Sequence, residues 1–383
     1  MVFDYIFCGY GLSSQLLLVA MADAGSLTGK NVLILDDGRN EPRTWCFWES
    51  ESSRLDGLVS RRWASAVFKS GSETEILRGK YVYKMLEPRH LEQDVSRRLA
   101  CFSGISTLEA TVVKILDDQS QVKVSTDKGV FIGKKVFNSI GRLNPPTKKS
   151  PLLLQHFVGW TIETTEPAFA SETVTFMDFS IEQKSGTRFV YLLPFSETRA
   201  LVEYTLFSPA LLPESEYESG IADYLRSKRI GDFKIVGREK GVIPMTSHPF
   251  WKSNSKNVLH IGTAGGWTKP STGYTLLHAE KMAARVPHFL SKGNGDFSEF
   301  HKAGRFAFYD EVFVSVLYHQ NHLGRHIFST LFRRARPDLL LKFLREETTP
   351  AEDLKILASC PKRLFIKHLV RRFISKSQSV KKV

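Results

Sequence analysis

The chain has 383 residues, 42% of them hydrophobic and 24% charged, the balance of a packed globular protein rather than a disordered one, and its length suits two domains, or one large domain carrying an insertion. Its four cysteines, Cys8, Cys46, Cys101 and Cys360, show no C-x-x-C spacing, which argues against a structural zinc site or a disulfide framework and fits a reducing compartment. The net charge is +13; basic charge suits nucleic acid and anionic lipid alike, so its distribution matters more than its size.

The opening residues lack the basic segment and cleavage site of a secretory signal. No apolar run reaches the roughly 20 residues of a membrane-spanning helix. A cytoplasmic protein, free or peripherally attached, is the expectation. Tyr5-Ile6-Phe7-Cys8 predicts a strand, Gly9-Tyr10-Gly11 a tight turn, and Ser14 to Ala22 a helix. Val32-Leu33-Ile34-Leu35 then reads as a buried strand closed by Asp36. That succession belongs to a doubly wound dinucleotide-binding fold. In Gly9-x-Gly11-x-x-Ser14 the first glycine permits the turn and the second lets a pyrophosphate approach the helix N-terminus. Ser14 stands where glycine or alanine is usual. Asp36 would accept the ribose hydroxyls. An ordinary strand–helix turn is the alternative.

The segment Arg43-Thr44-Trp45-Cys46-Phe47-Trp48-Glu49 places three aromatics in four positions. Such rings can line a cofactor–substrate boundary and stabilise a carbocation by about 2 kcal/mol or more when desolvated; without that context they would be a small core beneath a loop. Further on, Val174 to Phe179, Arg188 to Leu193 and Ala200 to Phe207 read as consecutive strands. The last two are joined by the hairpin turn Phe195-Ser196-Glu197-Thr198, and the run implies an antiparallel sheet. A two-residue period puts Glu203 on one face with Leu201 and Thr205, and Asp178 on one face with Val174 and Phe176. A carboxyl among apolar neighbours can remain protonated at neutral pH, as a general acid must; on solvent-facing sides the two would be ordinary surface acids.

Val258-Leu259-His260-Ile261 returns to a strand and runs into Gly262-Thr263-Ala264-Gly265-Gly266-Trp267-Thr268-Lys269-Pro270-Ser271-Thr272-Gly273-Tyr274. So many Gly, Ser and Thr residues suggest backbone in close contact with a ligand. From about Ser298 the pattern is helical. Near the end Phe365, Ile366, Leu369, Val370, Phe373 and Ile374 recur at helical spacing among Arg363, Lys367, Arg371 and Arg372, with no acidic residue after Pro361. This is the form of an interfacial helix on anionic lipid, or of a core helix with a solvated basic face. No nucleic-acid recognition module is visible. The expected fold is α/β, a doubly wound, Rossmann-like FAD-binding domain with an inserted antiparallel-sheet substrate domain and a C-terminal helical region. The FAD-binding part takes residues 1–80, 101–150 and 246–297, the substrate part 81–100 and 151–245, and the helical, membrane-associating part 298–383.

Taken together, the N-terminal Gly-x-Gly turn, Arg43 to Glu49, Phe137-Asn138-Ser139, Gln155-His156-Phe157 with Gly159-Trp160, Phe176-Met177-Asp178-Phe179, Val202-Glu203-Tyr204-Thr205, Ile243-Pro244-Met245-Thr246 and Ile261 to Tyr274 resemble the bacterial lycopene β-cyclase family, in order along most of the chain. The resemblance implies a carotenoid substrate, lycopene, whose acyclic ψ end groups become β-ionone rings without net redox change. It also implies FAD in reduced form, with NADPH or NADH as reductant. It points to Glu203 as acid/base with Asp178 relaying or tuning the proton. Cofactor contacts would come from Gly9, Gly11, Ser14, Asp36, Arg43, Gly262, Gly265, Gly266, Ser271, Thr272 and Gly273, and substrate contacts from Trp45, Phe47, Trp48, Phe176, Tyr204 and Trp267. No metal is expected. The partners implied are the carotenoid and a membrane surface, not nucleic acid. Two other readings stand beside it: an FAD-dependent oxidoreductase or hydroxylase acting on a carotenoid or prenyl lipid, and a non-catalytic carotenoid-binding protein.

Overall fold

A computed structural model describes the whole chain except residues 40–42, 51, 78, 142–149, 294 and 371–383. One layer is built on a sheet ordered Ile105–Glu109, Val32–Asp36, Val2–Cys8, Gly129–Asn138, Val122–Thr126 and Val112–Asp117. The four strands from Ile105–Glu109 through Gly129–Asn138 are parallel, as is the short Val258–His260 on the far edge of Gly129–Asn138. Phe7, Val32, Ile34 and Phe137 face a core shared with the helices Leu12–Asp23, Pro88–Leu99 and Leu276–Ser291. Ile6, Cys8, Leu33 and Leu35 face a smaller cluster on the opposite side. The run Leu16-Leu17-Leu18-Val19 is wholly buried, which explains why Leu12–Asp23 lacks the polar face of a surface helix.

The second layer is a seven-stranded sheet ordered Phe233–Thr246, Leu152–Thr164, Arg199–Ser208, Thr187–Pro194, Thr173–Asp178, Ser65–Ser70 and Glu73–Ile76. Its pairs are antiparallel except Thr173–Asp178 with Ser65–Ser70. The alternation along Arg199–Ser208 separates two cores. Leu201 and Phe207 face the C-terminal helices, while Val202, Tyr204 and Leu206 lie under the helix Glu214–Ser227. A three-stranded sheet of Trp45–Glu49, Val82–Leu86 and Arg61–Trp63 lies between the layers: Trp45 and Phe47 join the first core, Cys46 and Trp48 the second.

Two parts of the chain lie elsewhere than the sequence division suggests. Residues 65–76, expected in the dinucleotide part, extend the antiparallel sheet through Ser65–Ser70 and Glu73–Ile76. Pro88–Leu99, expected in the substrate part, buries Leu91, Val95 and Leu99 against the dinucleotide helices; a four-residue apolar spacing identifies a buried face but not its partner. The C-terminal region is helical as expected, with Arg305–His319, Gly324–Arg334, Pro337–Leu344, Pro350–Ser359 and a further helix over 362–370.

Candidate active site

A cleft of about 970 Å³ opens between the layers. Its dinucleotide side begins where the first strand ends. Gly9 has φ +89° and a Cβ there would collide with Ser139 Oγ, whereas a Cβ on Gly11 would project into open space. Gly11 caps the helix Leu12–Asp23, with no side-chain cap and no acidic residue in the first turn. The free N–H groups and positive end of the dipole are therefore available to an anion. Asp36 accepts from Tyr10 N at 2.6 Å and Gly38 N at 2.9 Å, which fixes its carboxylate on the cleft lining at the end of the second strand. Ser14 donates to the Gly9 carbonyl at 2.6 Å; it stiffens the turn from inside instead of facing the cleft.

The loop from Gly262 forms the second wall. Gly262, Thr263, Thr272, Gly273 and Tyr274 line the cleft, and Gly262 and Gly273 have φ of +62° and +71°. The other expected contacts in this loop are structural. A Cβ on Gly265 would collide with the His260 carbonyl. Gly266, at φ +73°, ends the short turn. Ser271 Oγ donates to Asp310 Oδ1 at 2.6 Å, and buried Lys269 Nζ lies 2.9 Å from Asp310 and 2.8 Å from Glu346. Burial alone would lower the Lys269 pKa, but the two carboxylates outweigh it and raise it. Two buried oxygens on the cleft lining, Gln15 Oε1 and Gln155 Oε1, have no hydrogen-bond partner among the described residues. Buried polar atoms ordinarily have partners, so a polar ligand fits here. With the open Gly11 and the uncapped helix end, the cleft suits a dinucleotide.

Glu203 lies on the opposite wall, on one face with Leu201 and Thr205, and accepts from Thr205 Oγ1 at 2.7 Å. Facing it is a residue that sequence reasoning missed. Gly159, in the strand between, pairs in register with Glu203 on one side and Glu239 on the other. A Cβ at Gly159 would lie 3.1 Å from Glu239 Cγ and 3.6 Å from Glu203 Cβ, so its missing side chain leaves room for the two carboxyls to meet across the strand. Burial, with the Glu239 charge beside it, pushes the Glu203 pKa up to about 8. Burial also raises Glu239, partly countered by hydrogen bonds from Thr44 and Glu203 and by the Arg43 charge. Thr44 Oγ1 reaches Glu239 Oε2 at 3.4 Å. Both carboxyls are raised, and two carboxyls held this way titrate as a pair in which ionising one disfavours ionising the other. The signal in the sequence was faint: Glu239 lies in a polar, edge-like stretch, and only the strand register brings it to Glu203.

Several residues expected at the site are elsewhere. Asp178 is buried, but a bulge between Thr175 and Asp178 inverts the alternation and pairs it with Val190, so it faces the helix Glu214–Ser227. Lys228 Nζ lies 3.0 Å away, Tyr224 OH 3.1 Å and Ser180 N 2.9 Å. Burial pushes its pKa up, yet the hydrogen bonds and the Lys228 charge hold it below the ordinary carboxylate range. Tyr204 alternates away from Glu203 and lies under the same helix. Phe47 and Trp267 fill the dinucleotide core and Trp48 the other core, because a strand period of two cannot put Trp45, Phe47 and Trp48 on one wall. Trp45 and Arg43 line the cleft, together with Tyr191, which pairs with Glu203 in register. Phe176 borders a neighbouring apolar cavity.

A doubly wound sheet and an antiparallel sheet bearing paired acids, facing each other across a cleft, define a two-layer α/β protein with the dinucleotide-binding type of fold. The chain belongs to the lycopene cyclase family: the family described as "Lycopene cyclase protein" matches residues 4–369. Among curated relatives, the lycopene beta-cyclase of Paracoccus sp. (strain N81106 / MBIC 01143) is 26% identical over 306 residues, covering 74% of this chain and 72% of that one. That of Pantoea ananas is 25% identical over 299 residues, covering 74% of each. Solved structures share the fold at low identity. A geranylgeranyl bacteriochlorophyll reductase-like protein from Thermoplasma acidophilum aligns with TM-score 0.63 at 12% identity over 97% of this chain and 99% of that one. The halogenase PltM, solved with phloroglucinol and FAD, aligns with TM-score 0.60 at 12% identity over 98% and 92%.

Proposed function

We propose that this protein is a lycopene β-cyclase that binds FAD in the cleft, works with the flavin reduced by NADPH or NADH, and converts ψ end groups of lycopene to β-ionone rings. The observation that carries the reading is the Glu203–Glu239 pair, a proton-sharing acid in a cleft whose other wall fits a dinucleotide. Gly9, Gly11 and the helix end would hold the pyrophosphate, Asp36 the ribose, and the 262–274 loop with Arg43 the flavin half. Bound reduced flavin would supply negative charge beside a developing cation.

The chemistry assigned to the chain itself is proton transfer. Glu203 gives its proton to the terminal double bond, and the resulting cationic carbon is attacked by the internal double bond, closing the ring. A ring proton then returns to the carboxylate pair, so the formula is unchanged and no electron is consumed. Tyr191, in register with Glu203, and Tyr274 line the same cleft and would supply aromatic surface that favours positive charge. Asp178, ionised and paired with Lys228, is assigned to holding the sheet to its covering helix. No helix among the described residues is long and apolar enough to cross a membrane; the helix over 362–370, with exposed Lys362, Arg363, Ile366, Lys367 and Val370, is read as the contact with the cytoplasmic membrane surface. Phe373, Ile374, Arg371 and Arg372 lie outside the described residues.

Anaerobic incubation with lycopene, FAD, NADPH and lipid should yield γ- and β-carotene, isomers of unchanged mass. A reduced or hydroxylated product would replace this reading with the oxidoreductase one, and protein that neither binds flavin nor alters lycopene would leave only carotenoid binding. The reaction needs Glu203 protonated, so kcat/KM should hold below about pH 8 and decline above it. In Glu239→Gln the neighbouring charge that raises Glu203 is gone, and the decline should begin at lower pH. An unmoved pH profile in that variant would separate the two carboxyls.

A further inference from the structure

We infer that the apolar cavity beside the cleft is a binding channel for the length of a linear polyene hydrocarbon, opening between the helix Pro350–Ser359 and the helix over 362–370. The inference rests on the cyclase reading for the identity of the chain that enters, and on separate observations for its path. The cavity encloses about 350 Å³ and meets the cleft at Tyr191, Thr272 and Tyr274, which line both. Tyr191 lies directly across from Glu203, and such cross-strand neighbours face the same side with Cβ atoms roughly 5 Å apart. A chain passing Tyr191 therefore delivers its end to the acid.

The walls are what an unsubstituted hydrocarbon requires. Phe176, Phe207, Phe328, Phe332, Phe343 and Phe365 contribute aromatic surface. The polar groups deep in the wall, Ser271 and Asp310, are hydrogen-bonded to one another, and Lys269 neutralises Asp310. Long polyenes dissolve in lipid and not in water, so their access to a protein must avoid solvent. The channel's outer end meets that need: Leu357 and Ile366, both on its lining, are 37% and 56% exposed, Leu354 and Val370 on the same two helices 67% and 51%. Lys362 also lines the channel, and Arg363 and Lys367 are exposed nearby. Apolar residues ringed by basic ones at the mouth of an apolar channel form a surface for anionic lipid. The 362–370 helix thus divides its apolar residues between two tasks: Phe365 and Leu369 pack inward, while Ile366 and Val370 are left for the bilayer.

The test uses the full-length protein and two variants. Cys360→Phe fills the channel from its wall, and Ile366→Asp puts a carboxylate at its mouth; Ile366 is exposed, so that variant folds whether or not Cys360→Phe does. Lycopene binding is followed by quenching of tryptophan emission, Trp48 lying 5.3 Å from Phe176 by ring centroids. Turnover is measured in parallel on lycopene and on a short acyclic isoprenoid carrying the same end group. Both variants should weaken lycopene binding roughly tenfold or more and leave turnover of the short compound as in the wild type. Wild-type lycopene affinity in folded Ile366→Asp and Cys360→Phe overturns the channel. Should the wild type bind lycopene, lose it in the variants, and cyclise neither compound, the channel stands and the cyclase reading falls.

Discussion

Glu203→Gln should lower cyclisation by about 10²–10⁴-fold, the usual share of a general acid, with flavin still bound. The substitution preserves shape and keeps an oxygen to accept from Thr205 Oγ1, now 2.7 Å from Glu203 Oε1. What it removes is the transferable proton. The dinucleotide wall, formed by Gly9, Gly11, Asp36 and the Gly262 loop, makes no hydrogen bond through Glu203 among the described residues, so flavin absorbance after purification should match the wild type. Rates on lycopene measured with fully reduced flavin then isolate the chemical step. A variant with wild-type turnover would remove Glu203 from the mechanism. Loss of turnover together with loss of flavin would instead assign it to building the cleft. Glu239→Gln is the companion: it keeps the acid and removes the neighbour that raises it, so it should retain more activity than Glu203→Gln and respond differently to pH.

Lys269→Met should cost about 3–5 kcal/mol of stability, the penalty for stripping the partner from buried carboxylates. Lys269 is the cation between Asp310, on the helix Arg305–His319, and Glu346, just after Pro337–Leu344. All three are nearly or largely buried, and Ser271 adds its hydroxyl to Asp310. Without the ammonium group, Asp310, already raised above its ordinary value by burial, must take up a proton or remain charged without compensation. The urea unfolding midpoint measures the loss. Adding Asp310→Asn to Lys269→Met should recover part of it, because the two residues act on one another. The network also ties the loop from Gly262 to Tyr274 to the C-terminal helices, so flavin affinity should fall in Lys269→Met even where the protein remains folded. Stability within 1 kcal/mol of wild type, roughly the median for an exposed pair, would show that the three charges are not coupled as described.

The Gly9–Gly11 turn, the strand closing on Asp36, the late glycine loop and the hairpin around Phe195–Thr198 were readable because each depends on neighbours in sequence: glycine tolerates positive φ, alternation follows the pleat, and an apolar run marks a buried element. The face shared by Leu201, Glu203 and Thr205 is local in the same sense. Asp178 was placed by the same alternation, and one extra residue in the strand turned it to the other side, something no period can register. Trp45, Phe47 and Trp48 show the converse: their strand bridges two cores, and proximity in sequence divided them between the two.

What the amino-acid order determined by itself was therefore the class of fold, the glycine turn after the first strand and one carboxyl with an apolar setting. Tertiary structure alone decided that carboxyl's partner. Glu239 comes to Glu203 through the pairing of two strands on either side of Gly159, contacts between residues 36 positions apart that no local rule encodes. It also decided that the C-terminal helices close over an apolar channel, since packing partners are chosen by complementary surfaces in space and not by adjacency along the chain.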